Sequence, residues 1–253
     1  MMIQALRTAA SGMSAQQLAM DVTANNISNL STPGFKAGSA RFTDLLYAAR
    51  RGPSGDIFLG MGAGVGEVRR DEAVGMLEND GDSSHIAIDG EGFFQVRLPG
   101  GGVGYTRAGI LGVDGEGNVV IAGGMLLDPP LTLPEGVSRF SVDERGLVTV
   151  TGEDGGTSEV GRIVLARFVN PAGLEARGDG VLLETNASGP PTSSVPGEAG
   201  TGLLKQGFLE SSNVDLARGM VEMIAALRVY EMNAKMVQTA DESLAAANNI
   251  LRG

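Results

Sequence analysis

Apolar residues recur at alternating spacings of three and four at both ends of this chain. The N-terminal row runs through Ile3, Leu6, Ala10, Met13, Met20, Ala24 and Ile27. The C-terminal row runs through Leu216, Met220, Met223, Leu227, Tyr230, Ala234, Val237, Leu244 and Leu251. That spacing is the seam of a coiled coil, and it predicts a long helix at each end. The first is expected from about Ile3 to about Asn29, where Asn25, Asn26 and Asn29 crowd the last turns and Ser31-Thr32-Pro33-Gly34 forbids continuation. The second should begin after Ser211-Ser212-Asn213, capped by Asn213 or Asp215. Unbroken to Leu251, it would be roughly 50 Å long. A second row, Val221, Ala225, Val229, Met232 and Met236, widens its apolar face beyond what one partner helix covers.

Between the ends the helical period disappears. Gly52 to Gly66 reads as loop or extended connector. Ile86, Ile88, Phe93, Phe94 and Val96 bracket Asp89-Gly90-Glu91-Gly92, which suits a hairpin or a bulge. Two segments, Val113 to Ile121 and Val142 to Val150, share the pattern Val-Asp-x-x-Gly-x-Val-x-(Val or Ile). This is a repeated hairpin in which Asp opens the turn through its side chain and Gly supplies positive φ. Strands are expected through Ile163 to Phe168 and Val181 to Glu184, and Ser188 to Gly202 is a linker or exposed loop. The predicted fold is α+β, with the terminal helices forming a coiled-coil unit around a central β-rich domain of short antiparallel strands. The expected division is 1–34 with 211–253 as the helical assembly domain, 35–84 with 196–210 as a connecting region, and 85–195 as the outer β domain.

Composition refines this picture. Thirty-nine glycines against eight Phe, three Tyr and no Trp favour many turns and thin β layers. A formal net charge of -11 argues against a phosphate-binding surface, so no nucleic-acid partner is expected. The chain has no cysteine, which removes disulfides and thiol chemistry. No apolar run approaches the roughly 18 residues of a membrane span, so no membrane insertion is expected. Residues 1–20 are interrupted by Gln4, Arg7, Thr8, Ser11 and Ser14, so a cleaved Sec-type leader is not expected.

Candidate chemistry is sparse. The glycines from Gly60 to Gly66 miss the dinucleotide fingerprint in every register, ending on Val65, Glu67 or Arg69. Asp114, Glu116 and Asn118 have the spacing of a calcium loop, but Val119 and Met125 stand where that loop needs Gly and Glu. His85 is the single histidine, beside Ser83 and Ser84, with no nucleophile elbow. Neither catalysis nor a cofactor or metal site is expected. A secreted β-rich adhesin is the rival reading, and three tyrosines without tryptophan give it little to build a glycan face from.

Ala24 to Lys36, with Asn25, Asn26, Asn29, Thr32, Pro33, Gly34, Phe35 and Lys36, closely resembles the signature that ends the first helix in the bacterial flagellar rod and hook protein family. Ser212 to Asp215, including Asn213, and then Met223-Ile224, Arg228, Tyr230-Glu231, Asn233-Ala234-Lys235 and Asp241 resemble its closing helix. Ile88 to Val96 and Tyr105-Thr106-Arg107 resemble its middle domain. Length and a single inserted β domain are most like a distal rod subunit, with a proximal rod or hook-type subunit as the competitor. The resemblance implies a structural subunit that stacks helically into a tube, with the terminal seams inside. It implies as partners further copies of itself, proximal rod and hook subunits or adaptors, rod-surrounding ring proteins and the flagellar type III export apparatus. It implies a periplasmic location reached without leader cleavage.

Overall fold

The computed structural model describes residues 2–52, 55–121, 123–134, 140–152 and 156–252, and their side chains except at 2–3, 48–52, 55–59 and 247–252. The chain starts with α1 (Met2–Ser28), followed by β1 (Gly38–Asp44), β2 (Tyr47–Gly52), β3 (Gly55–Gly60), β4 (Ala63–Arg70) and β5 (Leu77–Asn79). Next come β6 (Ile86–Asp89), β7 (Phe93–Arg97), β8 (Val103–Thr106), β9 (Leu111–Val113), β10 (Val119–Ile121), β11 (Met125–Leu127) and β12 (Phe140–Val142). The rest is β13 (Leu147–Thr151), β14 (Thr157–Arg162), β15 (Leu165–Arg167), β16 (Glu175–Gly178), β17 (Val181–Leu183), β18 (Thr192–Ser194), β19 (Leu203–Gln206), β20 (Phe208–Glu210) and α2 (Leu216–Arg252). Two compact units result: Met1–Ser28 with Gly38–Arg70 and Asp215–Gly253, and Asn29–Ala37 with Asp71–Val214.

In the first unit α1 and α2 pack together, and α1 also lies on β1 and β4. Gly12 of α1 faces Asn233, and Gly219 of α2 faces Thr23 and Ile27, so the helices run antiparallel. Asp215 is the N-cap of α2, its Oδ1 accepting the Arg218 N–H at 3.1 Å. The fold is α+β, but the expected coiled-coil unit is not what forms. Leu216, Met220, Leu227 and Leu244 of the predicted seam are exposed, as are Ala10 and Ala24. The less exposed positions of α2 include Gly219, Met223, Ala226, Tyr230, Asn233, Val237 and Ala240, so of the predicted seam Met223, Tyr230 and Val237 stay on this row while the large exposed members leave it. Gly219, Ala226, Asn233 and Ala240 alternate there with the larger Met223, Tyr230 and Val237, and α1 spends a second face on the β1–β4 ladder. The glycine-rich stretch read as loop is largely strand: β2 pairs with β3, and β4 pairs with β1 from Gly38↔Arg70 to Asp44↔Ala63. Phe42 and Leu45 are partly exposed, and Leu46 is 89% exposed.

The second unit is built on the antiparallel order β16-β17-β8-β7-β11-β10-β9, with β15 pairing both β7 and β18. A separate β12-β13-β14 sheet and the β19–β6 and β20–β5 pairs complete it. Its core holds Ile86, Ile88, Phe94, Val96, Ile121, Leu127, Ile163 and Leu165, all at most 1% exposed. Phe93, Tyr105 and Phe168 form a second cluster with edge-to-face ring contacts at 6.0 and 4.7 Å. The repeated motif forms two hairpins as its pattern predicts. Asp114 Oδ1 accepts the Glu116 and Asn118 N–H groups at 2.9 and 2.8 Å, and Asp143 Oδ1 accepts those of Arg145 and Leu147 at 2.9 and 2.7 Å. Ile86 to Val96 is not a hairpin: β6 pairs with β19, while β7 lies in the large sheet. The segment read as a linker or exposed loop contributes β18, because its Ser and Thr residues complete an edge beside β15.

Candidate functional site

The residues after α1 close a short turn on themselves. Thr32 donates its N–H to Asn29 O at 3.1 Å and its hydroxyl to Asn29 Oδ1 at 3.1 Å, and Phe35 N–H bonds Thr32 O at 3.2 Å. Gly34 follows at φ 70°, and a Cβ there would lie 2.9 Å from the Arg107 carbonyl carbon. Both the left-handed backbone and the close approach require glycine. Its N–H bonds Glu210 O at 2.8 Å, so the turn is tied to β20.

Lys36 then points inward, where its Nζ meets Glu210 Oε1 at 2.5 Å and Ala73 O at 2.6 Å. Glu210 Oε1 also accepts the Gly75 N–H at 2.9 Å. Arg107 Nε stands 2.9 Å from Glu210 Oε2, a charge contact without hydrogen-bond alignment. Arg107 Nη1 donates to Gly90 O and Gly92 O at 2.9 and 2.7 Å. The Lys36, Arg107 and Glu210 side chains are only 7, 5 and 1% exposed. Two buried cations thus share one carboxylate, and the Ala73, Gly90 and Gly92 carbonyls accept further donors from them. Burial pushes the Lys36 ammonium below its ordinary value of 10.5, against the raising influence of the Glu210 hydrogen bond and charge.

Asn213 performs the matching closure from the C-terminal side. Its Oδ1 accepts the Ala37 N–H at 2.7 Å, and its Nδ2 donates to Asp71 O at 2.8 Å and Ala73 O at 3.1 Å. The Asp71 N–H bonds Ala37 O at 2.8 Å. One side-chain amide therefore holds two separate chain segments just before α2 begins. In the first unit Asn26 does the same for the start of β1, accepting the Gly38 N–H at 2.8 Å and donating to Gly38 O at 2.7 Å.

Asn29, Thr32, Gly34, Lys36 and Asn213 thus belong to one closure, with Pro33 and Phe35 half-buried in the same turn. Asn25 is exposed. Asn233 is half-buried against Gly12, while Arg228 and Glu231 are exposed on α2. Of the helix seams, Leu6, Met13, Met20, Ile27, Met223, Tyr230, Ala234 and Val237 are half-buried, and the side chains of Ile3 and Leu251 lie outside the described residues. Arg107 and Glu210 are the residues that pattern reading missed as site members. The one available signal was Lys36 itself, since a buried cation needs a counter-charge, but its partner is 174 residues away. Among the described residues no three His, Asp or Glu side chains gather as for a metal ion, and no helix is long and apolar enough to cross a membrane.

This arrangement fastens the segment after α1 to the segment before α2, and α2 itself carries large apolar side chains in solvent, which is the build of an assembly subunit. Comparison with known proteins identifies the assembly. Residues 6–36 match the family described as flagella basal body rod protein, residues 87–150 the flagellar hook protein FlgE/F/G D1 domain, and residues 205–250 the flagellar basal body rod FlgEFG protein C-terminal region. The flagellar basal-body rod protein FlgG of Caulobacter vibrioides is 40% identical, covering 98% of this chain and 99% of its own length. That of Borreliella burgdorferi is 39% identical over 99% and 100%. The rod protein FlgF of Escherichia coli is 27% identical over 91% of each chain. The chain belongs to the flagellar basal-body rod protein family. Within it the chain is a structural subunit of the distal-rod type.

Proposed function

We propose that copies of this chain assemble helically into the distal rod, a periplasmic drive shaft that passes torque from motor to hook. The observation that carries this reading is the outward row of α2. Met220, Val221, Ile224, Leu227, Met232 and Met236 are all exposed, on a helix of 37 residues that spans about 55 Å. Apolar side chains at that density cost free energy in water and are stabilised by burial against neighbours. The methionines tolerate the slightly different surroundings of successive subunits. In this reading the neighbours along the axis are proximal rod subunits on one side and hook subunits or adaptors on the other, with ring proteins around the shaft. The subunit arrives through the flagellar type III export apparatus with its first residues intact, and it serves as a scaffold with no catalytic step or cofactor.

Electron microscopy of basal bodies from cells lacking the protein tests the reading. Truncated rods with the inner ring present and no hook are expected. Intact basal bodies carrying hooks would overturn it. N-terminal sequencing of the protein from purified basal bodies tests the export route, and a start beyond residue 20 would reject it.

A further inference from the structure

Beside the signature turn, the second unit has a cleft of about 530 Å³ lined by Leu30, Ser31, Pro33, Met76, Glu78, Leu209, Glu210, Ser211 and Ser212. Its wall is apolar at Leu30, Pro33, Met76 and Leu209. Met76 is 77% exposed at its edge, a large side chain left in water next to a concave apolar surface. The cleft is also acidic: Glu78 is exposed, with Oε1 accepting only the Ser211 hydroxyl at 2.9 Å among its described contacts. Glu210 is already committed to Lys36 and Arg107, so Glu78 is the carboxylate open to a visitor. The side chain that suits such a site has an apolar stem and a cationic head.

A second copy of this chain carries that side chain. Arg228 is exposed on α2, and no carboxylate among the described residues pairs with it. It sits one turn from Ile224 and beside Leu227, at the i+4 and i+1 positions, both about half exposed. Of the other exposed arginines of the β domain, Arg97 and Arg167 already pair with Asp128 and Glu91, and Arg145, Arg162 and Arg177 lie in a turn or on short strands rather than on a long helix with exposed apolar neighbours. Arginine's planar fork also suits a carboxylate flanked by hydroxyls and carbonyls better than a lysine ammonium does. With a net charge of -11 per chain, contact between copies requires the few exposed cations to meet acids.

We propose that the cleft beside the signature turn receives Arg228 of a second copy, with Arg228 meeting Glu78 and Ile224 and Leu227 packing on Met76, Leu30 and Leu209. The proposal rests on the assembly reading above and adds to it a specific contact between copies. Because the chain lacks cysteine, single-cysteine variants report contacts without background. Met76→Cys and Ile224→Cys copies, differently tagged and expressed together in cells lacking the wild-type gene, should give an oxidised heterodimer in isolated basal bodies. Each variant alone should give none. Charge reversal supplies an independent readout. Glu78→Arg and Arg228→Glu should each reduce the number of hooked basal bodies at least tenfold, and the pair together should restore most of it. Hooked basal bodies without the heterodimer, undiminished hooks in either single reversal, or no rescue in the pair would each overturn the contact. The assembly reading would survive any of these if cells lacking the protein make no hooks, so the two failures are distinguishable.

Discussion

Glu210 illustrates how one residue can hold a closure that spans the length of the chain. It is the carboxylate in direct contact with two buried cations, so its removal leaves Lys36 and Arg107 in a low-dielectric site with carbonyl dipoles, the Phe93 ring and the weaker influence of Glu72. Breaking a buried pair from one side costs about 3–5 kcal/mol. Glu210→Gln, which keeps the shape, should lower stability by about that amount in urea denaturation of the purified protein. Lys36→Met should cost less, because it leaves Arg107 and Glu210 as a balanced pair. Equal losses from the two variants would show that hydrogen bonds, rather than charge, dominate the cluster. The hairpin aspartates act by a gentler version of the same chemistry. The Asn118 side-chain amide, and after it the backbone N–H groups of the turn, hold the Asp114 carboxyl below its ordinary 3.8. A depressed folded value means stabilisation that is present above the unfolded pKa and lost as pH falls through the folded one. The gap in melting temperature between wild type and Asp114→Ala should therefore be constant from pH 7 to about 5 and narrow below 3.8. A gap that persists at the lowest accessible pH would reject the charge as its source.

At the scale of elements, the sequence was most readable where local chemistry decides. The two helices, the stop at Pro33-Gly34 and the twin Asp-x-x-Gly hairpins all depend on residues close together in the chain. What failed was the inference from hydrophobic period to partner. The spacing places Leu216, Met220, Leu227 and Leu244 in the buried seam, yet these are exposed and the shielded row of α2 combines Met223, Tyr230 and Val237 with Gly219, Ala226, Asn233 and Ala240. A period of three and four fixes the existence of an amphipathic helix, but not which of two adjacent rows faces its own chain. The Lys36–Glu210–Arg107 cluster was illegible for a different reason: its members come from three distant segments and share no local pattern. Gly219 offers a test of the helix contact. Its nearest atom to an added Cβ is Ile27 Cγ1 at 3.5 Å, an ordinary contact, and its backbone is helical. Gly219→Ala should therefore recover the helix propensity that glycine forfeits, about 1 kcal/mol, and raise the melting temperature. A fall would mean that the helices pack more closely there than the geometry indicates.

For the whole molecule, the closure and the exposed helix face make separable demands. The buried cluster stabilises one copy by itself, whereas the outward row of α2 keeps about half or more of each side chain in water in an isolated chain and should matter most when copies meet. Ile224→Asp combined with Leu227→Asp places two charges on positions that are 50 and 46% exposed, so the monomer should lose little. Surface substitutions away from special features typically change stability within about 0.5 kcal/mol. In the assembly the same two carboxylates would be stripped of water against apolar neighbours, at a cost of several kcal/mol repeated at every subunit. Cells carrying the double variant should export the protein at normal levels, with an unchanged urea midpoint when purified, yet make few or no hooked basal bodies and fail to swim. A lowered urea midpoint would mean that these side chains support the fold of a single copy. Normal hook numbers would mean that this face remains in solvent in the finished rod, and the surface that joins copies would then have to be sought on the β1–β4 ladder or the outer β sheet.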